Sequence, residues 1–125
     1  MKAWIPLTLV FALGSAGYAQ ADCTYPRAPS SIPDGNTASK DEMIAAKNDV
    51  ARYNNEMNAY LDCIKLEIQA ATPKDPSKLS KDDKAKAEEQ EKMLTQKNNA
   101  AVDELQGVVG RFNEQLKLWK AAHAS

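Results

Sequence analysis

Apolar or aromatic side chains recur at Met43, Ala46, Val50, Tyr53, Met57, Tyr60, Ile64, Ile68 and Ala71, in steps of three and four. That spacing draws one stripe down a single helix face and no alternating strand face. The strict three-four alternation holds to Ile64 and slips by a four-four step to Ile68, a stutter that relaxes any supercoil locally. A second stripe runs through Leu94, Ala101, Leu105, Val108, Phe112, Leu116 and Trp119, with polar Asn98 where the step asks for an apolar residue. Between the stripes TPKDPSKLS, residues 72–80, carries Pro73 and Pro76, which end the first helix near Ala71 and turn the chain.

The helix starts are equally explicit. Ser39 followed by Glu42 forms a capping box, which places the first start near Lys40, and Ser80 is the cap for the second helix. The fold class is therefore all-α: a long, antiparallel, coiled-coil-like two-helix hairpin with helices at about 40–71 and 81–121. Reflection about residue 76 sets Asn98 opposite Asn54, an amide pair suited to fixing register. The same reflection sets Phe112 opposite the start of the first helix and leaves Leu116 and Trp119 beyond it.

Ahead of the hairpin, residues 22–38 hold Pro26, Pro29, Pro33 and Gly35 among Ser, Thr and Asn, which favours an extended strap. IPDG, residues 32–35, is turn chemistry, with Pro33 presetting φ, Asp34 able to bond its own downstream backbone, and Gly35 accepting positive φ. Residues 1–21 read as a secretory signal peptide: Lys2, an apolar run from Ile5 to Leu13, then small residues ending in the AxA pattern Ala19-Gln20-Ala21. A lipid-modified cysteine would follow the cleavage site directly behind a small residue, whereas Asp22 precedes Cys23. The expected location is the periplasm, with no integral membrane segment in the mature chain.

Export makes a disulfide permissible, and two cysteines allow one intramolecular pairing, Cys23 with Cys63. The closed loop of about 40 residues stabilises the fold by about 4 kcal/mol in the chain-entropy account. Cys63 lies about 35 Å along the first helix at 1.5 Å per residue. The sixteen residues from Cys23 to Ser39 cover that at about 3.5 Å each. The strap should thus run back along the first helix and add Tyr25, Pro29 and Ile32 as a third layer.

Chemistry is scarce. Lys2 leaves with the leader, so fifteen basic residues face seventeen acidic ones, a net charge of −2, which gives no case for nucleic acid. The single histidine, His123, sits third from the end of the sequence, both cysteines are committed to the staple, and no CxxC or glycine-rich phosphate loop occurs. No catalytic residue, metal ligand or cofactor is expected. The charged run 80–92 reads as a solvated helix face with Lys84–Glu88 and Glu88–Lys92 neighbours. Gly107 and Gly110, each costly inside a helix, point to close backbone approach ahead of a kink or hinge.

CTYPRAPSSIPDG, YNNEMNAYLDC and NNAAVDELQGVVGRFNEQLKLWK together resemble a group of small uncharacterised exported helical proteins of Gram-negative bacteria, specifically in the Cys to Pro-Asp-Gly start and the Tyr-Leu-x-Cys element. The resemblance implies a periplasmic location and a helical hairpin and brings no activity with it. The leading expectation is a non-enzymatic protein acting through protein contacts, as a structural accessory, adaptor or chaperone-like module, with a second protein or a second copy of this chain as partner. Phe112, Leu116, Leu118 and Trp119 form the candidate interaction surface. The alternative is a module holding a small molecule or lipid chain between strap and helices, near Tyr53, Tyr60 and Phe112.

Overall fold

The computed structural model describes residues 23–124. The expected leader, residues 1–21, lies outside them. Two helices, α1 (Lys40–Ala71) and α2 (Lys81–Ala122), pack as a hairpin around a one-turn 3-10 helix at Pro76–Lys78. Among the described residues none is in a strand.

The local signals act as expected. Ser39 Oγ accepts from the Glu42 amide at 3.2 Å while the Glu42 carboxylate accepts from the Ser39 amide at 2.7 Å, a complete capping box. Ser80 Oγ accepts from the Asp83 amide at 3.1 Å and starts α2 in the same way. At the end of α1 the Thr72 amide and hydroxyl both donate to the Ile68 carbonyl, at 3.0 and 2.8 Å, before Pro73 stops the helix. All seven seam positions from Met43 to Ile64 are buried. Ile68 and Ala71, beyond the stutter, are only half-buried, as a seam that has drifted off its partner requires.

Cys23 and Cys63 are bonded, with Cα atoms 5.7 Å apart. From this staple the strap travels toward the open end of the hairpin, running parallel to α2. The Tyr25 hydroxyl donates to the Glu104 carboxylate, the Gly35 amide donates to Gln115 Oε1 at 2.8 Å, and Trp119 Nε1 donates to the Ala38 carbonyl at 3.0 Å. These pairs are 79, 80 and 81 residues apart, so strap and α2 advance together. The strap is covalently tied to α1 yet hydrogen-bonded to α2, and it seals the seam between them. Pro26 and Ala38 are buried, Ile32 and Ala28 pack on the core, and the Tyr25 ring meets Tyr60 edge-on at 4.8 Å.

Four details differ from the sequence expectation. Leu116 and Trp119 are not left beyond α1, because helical side chains lean back over the preceding turn and both line one groove with Lys40, Met43, Ile44 and Lys47 of its first turns, while the Trp119 indole also bonds Ala38 at the end of the strap. Asn54 and Asn98 are half-buried, and no hydrogen bond joins them. The Lys84–Glu88 and Glu88–Lys92 neighbours form no ion pair; the pairs among the described residues are Arg52–Glu56 at 2.8 Å and Lys78–Asp75 at 3.6 Å. Long exposed side chains lose more rotamer freedom in such pairs than water-screened attraction returns.

Glycine is the fourth. α2 is continuous through Gly107 and Gly110, and neither provides close backbone approach. A Cβ at Gly110 would meet nothing within 4 Å, and one at Gly107 would meet only Arg111 Nη1 at 3.5 Å. The close approach is made by Gly35, where a Cβ would stand 2.0 Å from the Gln115 carbonyl oxygen and 2.9 Å from the Trp119 nitrogen. Its φ is not positive, so Gly35 is required for space rather than for backbone freedom. The turn itself forms as expected, with Asp34 Oδ1 accepting from the Asn36 amide at 2.9 Å.

Candidate functional sites between strap and helices

At the open end of the hairpin, Met43 and Ile44 of α1 and Phe112, Leu116 and Trp119 of α2 line an apolar groove of 140 Å³, with Lys40 and Lys47 on its walls. The first turns of α1 supply one wall because the capping box starts that helix immediately behind the strap. Of the four expected surface residues, Phe112 is buried, Leu116 and Trp119 are half-buried, and Leu118 is 40 % exposed. Ile44, at 46 % exposed, was not singled out by the seam. Its signal in the sequence is an apolar residue next to a seam position and off the three-four pattern. Leu66 and Met93 are exposed off-pattern residues of the same kind.

A second concavity, of 390 Å³, lies between the strap and α2, lined by Pro29, Ser30, Ser31 and Ile32 on one side and Val108, Arg111, Glu114 and Gln115 on the other. Pro29 fixes φ and keeps the strap backbone extended where it lines the cleft. No spacing rule links these two groups, because they meet only through the docking of the strap.

The tyrosines cluster beside the strap. Burial pushes the Tyr53 hydroxyl up to about 12, with the Glu104 carboxylate adding to the rise and the Arg111 guanidinium opposing it. Its oxygen is buried and makes no hydrogen bond among the described residues. Burial first, and then the bond to Glu104, raises Tyr25; burial and the Glu67 carboxylate raise Tyr60. A phenol held protonated in this way is a donor, and Tyr25 uses its proton on Glu104.

The sulfurs of Cys23 and Cys63 and a carboxylate oxygen of Glu67 lie within 4.8 Å of one another. A metal needs thiolates, and in the disulfide both sulfurs are bonded to each other, so this set is not a metal site while the staple is intact. His123 stacks on Trp119 at 4.3 Å with an interplanar angle of 22° at the end of α2. No described helix is long and apolar enough to cross a membrane. Comparison with protein-family models, with curated proteins and with solved structures returns no match to this chain.

Proposed function

We propose that this chain is an exported, periplasmic, non-enzymatic protein that acts by docking another protein in the groove at the open end of its hairpin. The observation that carries this reading is the groove itself. Ile44, Leu116 and Trp119 expose hydrocarbon over a floor of buried Met43 and Phe112, and an apolar groove of this kind on two helices suits cover by a partner's side chain. Lys40 and Lys47 flank it, so the fitting partner offers an apolar side chain with carboxylates beside it. The leader-like start and the disulfide support an oxidising compartment. The non-enzymatic reading is supported by the use of both sulfurs in the staple and of His123 in a stack at a helix end.

The test is a photo-crosslinking residue placed at Ile44 in the exported protein, compared with one at exposed Lys97 on α2. A discrete adduct from position 44 alone, lost on Leu116→Asp in the groove wall, is expected; an adduct at twice the chain mass would make the partner a second copy. Identical products from both positions, or none from position 44, would overturn the reading.

A further inference from the structure

The cleft beside the strap has a chemical bias that the groove lacks. Arg111 folds back along α2, with Nη1 3.5 Å from where a Cβ on Gly107 would be, an ordinary contact distance, and its side chain lines the cleft. Arg111 forms no ion pair among the described residues. Gln115 gives its Oε1 to the Gly35 amide, which leaves its Nε2 as a donor without an acceptor among the described residues. The hydroxyls of Ser30 and Ser31 likewise make no hydrogen bond within the described chain, although both residues line the same space. Four donor-bearing side chains therefore line one cleft from two elements, which the strap's contact at Gly35 holds together.

One acceptor opposes them. Glu114 lines the cleft three residues from Arg111 without pairing to it, and its charge disfavours a dianion more strongly than a monoanion. Pro29, Ile32 and Val108 complete the walls with hydrocarbon. We infer that this cleft binds a small monocarboxylate with an apolar body, the carboxylate on the Arg111 guanidinium with the serine hydroxyls and Gln115 Nε2 beside it, and the hydrocarbon over Val108 and Ile32. Arg is suited to this because its planar fork donates two parallel bonds to a carboxylate.

Butanoate is the probe, added to the oxidised, leader-free protein at fixed ionic strength and followed by backbone amide shifts. Saturable shifts are expected at Ser30, Ser31, Gly35 and Arg111 through Gln115. Arg111→Gln should weaken binding about tenfold, as loss of one charged hydrogen-bonding partner does. Glu114→Gln should strengthen it, and inorganic phosphate should bind more weakly than butanoate. Ile44→Asp should leave the titration unchanged, which separates this site from the groove. Unchanged Trp119 emission checks that each variant is folded. Shifts that stay linear to about 50 mM butanoate, or an unaltered affinity in Arg111→Gln, would overturn the assignment.

Discussion

The indole Nε1 of Trp119 donates to the carbonyl of Ala38 at 3.0 Å and so joins the last turns of α2 to the end of the strap. Ala38 has no strand neighbour to take that carbonyl, and the half-buried indole supplies the donor from the groove. The bond closes the base of the hairpin. In the chain from Asp22 onward Trp119 is the one tryptophan, so its fluorescence reports this contact alone.

Trp119→Phe keeps a ring in place and removes the donor. It should lower unfolding free energy by about 1 kcal/mol in urea titration, the usual net worth of one such bond plus the stranded carbonyl. The wild type should emit to the blue of free indole.

Substituting alanine at three glycines should give opposite signs. Gly35→Ala forces a methyl onto the Gln115 carbonyl, so the strap must lift, and the loss should be about 2 kcal/mol or more. Gly110→Ala meets open space inside a helix and should stabilise by up to about 1 kcal/mol. Gly107→Ala should stabilise as well, since the added Cβ meets only the end of a flexible arginine at ordinary contact distance. Thermal midpoints of the three variants check the order.

Much of this was written in the sequence, and the parts that were not share one cause. Helix bounds, the seam from Met43 to Ile64 and the staple follow from caps, period and cysteine count, all of them short-range or single-valued signals. The docking of the strap on α2 depends on contacts about eighty residues apart between Tyr25 and Glu104, Gly35 and Gln115, and Ala38 and Trp119. None of those pairs carries a pattern before the fold exists. The same holds for Gly107, a glycine that looked made for backbone contact and faces only the end of the Arg111 side chain.

Removing the staple should loosen the strap and leave the helices. Cys23→Ser and Cys63→Ser break the same bond across 40 residues and should each cost about 2 to 4 kcal/mol, with helical circular dichroism retained. A clearly larger loss for Cys63→Ser would assign the effect to packing at that position.

Alkaline pH should destabilise the fold through its tyrosines. The folded-state values lie above the ordinary 10.0, and Tyr53 reaches about 12 through burial, so the neutral phenol is the form the fold prefers. That contribution is complete below pH 10 and is lost as pH rises from there through about 12. Urea midpoints should hold from pH 8 to 9 and fall by pH 11. Tyr53→Phe removes a buried hydroxyl without a partner, so it should cost little at pH 8 and reduce the alkaline loss.

Both the cleft and the closed base exist only while the strap lies on α2, and the Gly35 amide reports that contact directly through its bond to Gln115. Amide hydrogen exchange of the oxidised chain of residues 22–125 should show Gly35 slowed by about tenfold or more relative to Ser31, whose amide makes no backbone bond among the described residues, with Gln115→Ala abolishing the difference. A Gly35 amide that exchanges as fast as Ser31 in the wild type would contradict a docked strap, and with it the cleft and the closed base.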